Sequence, residues 1–390
     1  MFQFSDRMNG LSANAIREIF KYLSDPEMIS FAGGMPNRDA LPAEILNELS
    51  ERLFRDKKIY SVLQYGATEG YLPLRESGIE FVKRVGIQGI GLDNTLVITG
   101  GQQGIDLTCK IFLNKGDCVL VEDPTYVAVL HILKTYEAKA YGVKSDADGI
   151  NTDDLEEKIK RYHPKFIYLV PTFGNPTGKT YPLEKRKKIL SLAERYDVVI
   201  LEDDPYSHLR FGGEPVPSIK SLDTTGRVIY NTSFSKIISP GIRCGLAVAD
   251  PEIISKLVLC KQATDVHTSA LSAALADGFL RGGYLDPQLK KILPIYLEKK
   301  TLMREAIKKY MPKDFECTDP NGGLFIFGEF KSGKCADDYF KTALENKVAY
   351  VKGVDFYAAG DVHNSLRLNF SNSTNAQIDT GMKILGKIFG

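Results

Sequence analysis

No C-x-x-C and no H-x-x-x-H pair occurs in this sequence, and its five histidines and six cysteines are scattered. The spacing that marks a zinc site is therefore missing. No apolar run approaches the roughly 20 residues that a membrane-spanning helix requires. A surplus of either charge is missing too: 50 Lys and Arg face 49 Asp and Glu, a net charge of +1, which gives no sign of nucleic-acid affinity. The basic cluster EKRKKIL, Glu184 to Leu190, reads as the solvated face of a helix that starts after Pro182. No repeat, low-complexity tract or long linker interrupts the chain. Cysteines without paired spacing, in a sequence with no signal peptide, imply reduced thiols in a cytoplasm. What is present is a chain of 390 residues, 43% hydrophobic, enough for a large core and two to three domains.

Chemistry is concentrated in a few segments, foremost TSFSKIISPGIR, Thr232 to Arg243. A lysine in a desolvated pocket has its pKa lowered, so Lys236 there would attack a carbonyl and form a Schiff base. Ser233, Ser235 and Arg243 supply the hydroxyls and the guanidinium that would hold a phosphate beside it. Alone, the segment equally fits a surface lysine among serines. Upstream, LVITGGQQGIDLTCKIFL reads as a short strand through Ile98, a turn at Gly100 and Gly101, then a helix with apolar Ile105, Leu107, Ile111 and Phe112. Free amides near Gly101 and Gln102, with the helix dipole, favour an anion; the alternative is a plain tight turn.

Three further segments run a buried-type strand into polar residues. In VLVEDPTYVAVLHILK the strand ends near Val121, and Tyr126 opens a helix where it would stack on a flat ring or rest half-buried. In FIYLVPTFGNPTG, Phe166 to Val170 lead to Asn175, Pro176 and Gly178: ligand-binding residues at the carboxyl edge of a parallel sheet, or ordinary turn residues. In DVVILEDDPYSHLRF the strand Val198 to Leu201 ends in Glu202, Asp203 and Asp204, with Tyr206 beyond. A carboxylate at the end of a buried strand needs a cation or a metal. Near the end of the chain, Arg367 alternates with Leu366 and Leu368 in NSLRLNFS, as a carboxylate clamp or a surface strand residue.

Together and in this order, these segments resemble the pyridoxal phosphate (PLP) aminotransferases of fold type I, class I and II. Within that group the chain looks most like the branch of kynurenine/2-aminoadipate aminotransferases and the aminotransferase-like half of certain bacterial regulators. ISFAGGMPN at Ile29 and LQYGATEGYLPLR at Leu63 extend the resemblance over nearly the whole chain. It implies that Lys236 carries the cofactor and moves the Cα proton, that Asp203 pairs with the pyridine nitrogen, and that Asn175 and Tyr206 contact the ring's phenolic oxygen. It implies that Tyr126 stacks on the ring, and that Gly101, Gln102, Ser233, Ser235 and Arg243 form the phosphate cup. Arg367, with Asn175 and Gly34, would bind the substrate's carboxylate end, and Tyr65 would reach the phosphate from the neighbouring subunit of a homodimer. Relatives often carry serine at the position of Gly101, so a contact there would come from the backbone amide alone. The resemblance also implies cis bonds before Pro124 and Pro176.

Alternating strands and helices between about Leu96 and Ala249 predict an α/β fold with a mainly parallel, doubly wound sheet. The resemblance makes residues 46–280 the large PLP-binding domain and 281–390 a smaller α+β domain, with 1–45 as an arm and part of the small domain. NGLSANAIREIFKYL would be an arm helix bearing Arg17. The expected activity is transfer of an amino group between an α-amino acid and a 2-oxo acid, with 2-oxoglutarate as an acceptor, by a ping-pong mechanism. Racemisation, β-elimination and decarboxylation remain open, as does a ligand-sensing domain, although the matching segments begin too early to leave room for a DNA-binding domain before them.

Overall fold

A computed structural model describes residues 2–8, 11, 25–57 and 59–390; the expected arm helix at 9–23, with Arg17, lies outside them apart from residue 11. The chain's short strands are β1 (Ile29–Ser30), β2 (Thr95–Ile98), β3 (Cys118–Asp123), β4 (Lys139–Asp146), β5 (Gly149–Ile150), β6 (Phe166–Leu169), β7 (Val199–Asp203), β8 (Val228–Ser233) and β9 (Gly245–Val248). Strands β2 to β9 form one eight-stranded sheet in the order β2-β9-β8-β7-β6-β3-β4-β5. Its centre, from β4 through β3, β6 and β7 to β8, is parallel. These strands read as nearly continuous Val, Ile, Leu and aromatic residues because helices cover both faces, and β2, β6 and β8 are buried at every position.

Strand β9 departs from the expected alternation, pairing antiparallel with both β8 and β2. The connection from β8 holds two short 3-10 turns, Phe234–Lys236 and Pro240–Ile242, in place of a crossover helix. A parallel return needs a crossover, an antiparallel one does not. That short connection is the segment that carries Lys236.

Because β3, β6, β7 and β8 are parallel, their carboxyl ends share one edge, where Asp123, Val170, Asp203 and Ser233 emerge. The acids stand inside the ladders of β3 and β7 instead of after them. A second sheet follows from β10 (Phe315–Cys317), β11 (Phe325–Phe330), β13 (Val351–Lys352) and β14 (Ser365–Asn369), four antiparallel strands in the order β10-β11-β14-β13, with β12 (Val348–Ala349) outside it. The segment after β1 joins it: β1 pairs with β12, and the Asn369 amide donates to the Phe31 carbonyl. This brings Gly34 over the edge of the large sheet.

One charge expectation is corrected. The helix Leu183–Arg195 forms after Pro182, but Arg186 in its basic run is wholly buried. Its guanidinium donates to the carbonyls of Tyr181, Pro171 and Pro217 and to Thr172 Oγ1, and lies 3.8 Å from Glu202. A planar group with five donors finds acceptors for most of them there, and it answers a carboxylate that burial lifts to about 7.

Candidate active site

Every residue that the resemblance assigns to the cofactor or the substrate carboxylate, except Tyr65, lines one cavity of about 290 Å³ at the carboxyl edge of the large sheet. The amine comes from the 3-10 turn that follows β8. Lys236 Nζ donates to the Gly34 carbonyl at 2.8 Å, and burial, then Arg367 and Arg243, lower its pKa to about 8. Near neutrality a useful fraction of this amine is therefore unprotonated.

The acid comes from the end of β7. Burial lifts Asp203 to about 7, opposed by hydrogen bonds from Tyr168 and Asn231. The Tyr168 hydroxyl donates to Oδ2 at 2.8 Å and Asn231 Nδ2 to Oδ1 at 2.8 Å. Its two acidic neighbours face elsewhere: Glu202 accepts from the amides of Ile219 and Lys220, and Asp204 from Tyr230 and the Ser207 amide. Alternation along β7 puts Asp203 on the face opposite Glu202. Among the described residues no group of three or more His, Cys, Asp or Glu side chains is placed to hold a metal.

The anion cup has three sources. The helix Gly101–Phe112 opens with no side-chain cap, leaving its first amides free. Ser233 Oγ donates to Ser235 Oγ at 2.8 Å. Arg243, in the left-handed region at φ 47°, donates to the Thr99 carbonyl at 3.1 Å. Gly100 is required here: its φ is +78°, and a Cβ would fall 2.4 Å from the Arg243 guanidinium.

Arg367 is 1% exposed, so it is not a surface strand residue. Its guanidinium lies 4.2 Å from the Phe325 ring centroid and 5.0 Å from that of Phe356. It donates to Asn175 Oδ1 at 2.8 Å and to the Ala32 carbonyl. Asn175 also hydrogen-bonds the Tyr206 hydroxyl, so the two side chains stand together on the cavity wall. Tyr206 and Tyr126 complete the walls, and burial raises both phenols, keeping them neutral donors. The bonds before Pro124 and Pro176 are cis.

Tyr65 is 82% exposed and outside this cavity. Its ring meets His267 edge-on, and the Gly66 amide donates to His267 Nε2 at 3.2 Å. Sequence reasoning missed Tyr168 and Asn231, which hold Asp203, and Phe325 and Phe356, which flank Arg367. The only signal for the first pair was a polar tip inside a strand of apolar residues.

The family model described as aminotransferase class I and II matches residues 27–385. The aromatic-amino-acid aminotransferase 1 of Thermococcus litoralis is 38% identical over 98% of this chain and 93% of that protein. The 2-aminoadipate transaminase of Thermus thermophilus is 38% identical over 97% of this chain and 94% of its own length. Among solved structures, the kynurenine aminotransferase of Pyrococcus horikoshii superposes with a TM-score of 0.94 at 38% identity, covering 99% of this chain and 96% of that one.

The cavity suits pyridoxal phosphate on its own chemistry: an amine of lowered pKa for the aldehyde, free helix amides with two serines and an arginine for the phosphate, and a buried carboxylate for the ring nitrogen. The chain belongs to the class I and II aminotransferases, pyridoxal-phosphate-dependent enzymes that move an amino group between an amino acid and a 2-oxo acid.

Proposed function

We propose that this enzyme takes its amino group from an α-amino acid with an aromatic or long apolar side chain, and that the cavity residues divide the work as follows. The observation that carries the reading is that one cavity unites a buried carboxylate, a buried guanidinium and an amine lowered to about 8. The bound cofactor supplies the electron sink for the charge left at Cα when its proton departs. Lys236 would hold the cofactor's aldehyde and, at Nζ, would take and return the substrate's Cα proton. Asp203, as a carboxylate, would pair with the ring nitrogen and favour its protonated form. Asn175 and Tyr206 would hold the phenolic oxygen, and Tyr126 would stack on the ring. The Gly101 and Gln102 amides, Ser233, Ser235 and Arg243 hold the phosphate. Arg367 binds the α-carboxylate, with the Gly34 backbone alongside. Both half-reactions use one cavity, so the kinetics are ping-pong.

The side-chain preference is supported by the walls. Met35, Pro36, Ile105 and Phe325 are apolar, and among the described residues the cations lining the cavity are Lys236, Arg243 and Arg367, each already committed. Relatives named for aromatic amino acids and kynurenine fit such walls. A panel of donors with 2-oxoglutarate as acceptor tests this: aromatic donors are expected to give the highest kcat/KM, and a preference for aspartate would contradict it.

Arg367→Ala is expected to lower kcat/KM for amino acids by about tenfold to a hundredfold, from the roughly 1.5 to 3 kcal/mol of a charge-assisted hydrogen bond. Amines lacking the carboxylate should lose far less. Equal losses for both would remove the clamp.

We also take the active unit as a homodimer with shared sites, in a cytoplasm, a setting that the six free cysteines suit. Near Tyr65 in sequence are the exposed apolar residues Tyr60, Leu63 and Leu72, and the exposed Val266 is next in sequence to its contact His267. A two-fold contact through this face would carry each Tyr65 to the partner's phosphate cup. Mixing Lys236→Ala with Tyr65→Ala chains leaves one intact site in each mixed dimer, so activity should rise above either parent. No gain after proven exchange would contradict sharing. The proposed domains, 46–280 with 1–45 and 281–390, are supported by sheets lying within 95–248 and 315–369.

A further inference from the structure

Behind Asp203 stands a side chain to which none of these roles belongs. Asn231 lies on β8 two residues before Ser233, and the strand's period of two puts both on one face. It is wholly buried. Its amide nitrogen is shared, donating to Asp203 Oδ1 at 2.8 Å and to the Gly101 carbonyl at 2.9 Å. A single group thus ties the acid at the end of β7 to the first turn of the helix whose amides face the anion.

The orientation of that amide follows from its neighbours. Turned over, its oxygen would face a carboxylate and a carbonyl, two acceptors that only the NH₂ group satisfies. Its Oδ1 is left buried without a hydrogen-bond partner, a cost that native structures seldom carry without reason. Space for that oxygen comes from Gly104, where a Cβ would fall 2.0 Å from it. Glycine inside a helix is disfavoured on propensity, so the helix accepts a poor residue where the amide needs room. Tyr168 completes the arrangement from β6, donating to the other carboxylate oxygen at 2.8 Å. With one donor from each flanking strand, the plane of the carboxylate is set.

We propose that Asn231 is a positioning residue for the cofactor, clamping Asp203 to the phosphate-binding helix so that carboxylate and anion cup keep the one spacing that suits a pyridoxal ring nitrogen and its phosphate. This rests on the reading of Asp203 as the partner of that nitrogen. Asn231 touches neither substrate nor cofactor and acts through the acid.

The test compares dissociation constants, by equilibrium dialysis of the full chain, for pyridoxal phosphate and for an analogue with C–H in place of the ring nitrogen. Asn231→Ala is expected to reduce the preference for pyridoxal phosphate over the analogue by about tenfold, the scale of one hydrogen bond to a charged group. Gly104→Ala, which drives a methyl into the amide, should act in the same direction and carries the test if the first variant does not fold. A merely structural role would weaken both ligands alike and leave the preference unmoved, which overturns the clamp, as does no change at all. Asp203→Ala separates the two readings. If it abolishes the preference while Asn231→Ala and Gly104→Ala keep it, the clamp alone fails; if it too keeps the preference, the reading of Asp203 fails first.

Discussion

Lys236→Ala is expected to cut the rate of amino-group transfer by about 10⁴-fold or more, since a positioned acid–base group alone contributes roughly 10²- to 10⁴-fold and the covalent anchor is lost with it. Among the described residues no other lysine lines the cavity to take over. Binding of the cofactor should survive, because the phosphate cup, Asp203 and Arg367 are untouched by the change. The variant should therefore hold pyridoxal phosphate by non-covalent contacts and show no turnover in a stopped or continuous assay. Transfer within about tenfold of the unaltered enzyme would mean that another group moves the Cα proton.

Asp203→Ala is the second large effect, with kcat expected to fall by about 10²- to 10³-fold, the scale on which removing one preorganised electrostatic partner acts. The carboxylate lies at the end of a strand where burial lifts it to about 7, and two hydrogen bonds oppose that rise. Taking it away leaves the ring nitrogen without a partner and the Tyr168 hydroxyl and Asn231 amide without an acceptor. Asp203→Asn, which keeps one acceptor oxygen, should retain more stability than the alanine variant, yet lose similar turnover, because an amide cannot hold the ring proton. Near-normal kcat in the asparagine variant would assign the ring proton to another group. Thermal melts alongside the kinetics separate the two losses.

Much of the cavity was legible because the chemistry sits at the ends of strands. Apolar runs that stop at Asp203, at Asn175 and before Lys236 mark a sheet edge, and the parallel order of β3, β6, β7 and β8 makes those stops coincide in space. The surrounding support was not legible. Tyr168 and Asn231 sit inside fully buried strands, where a tyrosine reads as core and an asparagine as an oddity. Their meaning depends on which strand lies next to which, and periodicity does not report that. Arg186 was hidden in a run of basic residues, since only the packing of its helix against β7 selects it as the one to be buried beside Glu202. The antiparallel entry of β9 was missed for a related reason: alternation of strand and helix was extended across a connection that holds no helix. Tyr65 is exposed, and the role proposed for it needs a second chain.

The most direct measurement is the chemical identity of the lysine that carries the cofactor. Borohydride makes the reversible bond between a lysine amine and the cofactor's aldehyde permanent, so reduction of the full-length holoenzyme followed by proteolysis and mass spectrometry reports the residue. One label per chain is expected, on Lys236 within the TSFSKIISPGIR segment and lost in Lys236→Ala. A label on any other lysine, or none on a chain shown to contain bound cofactor, would contradict the assignment on which every other role in the cavity depends.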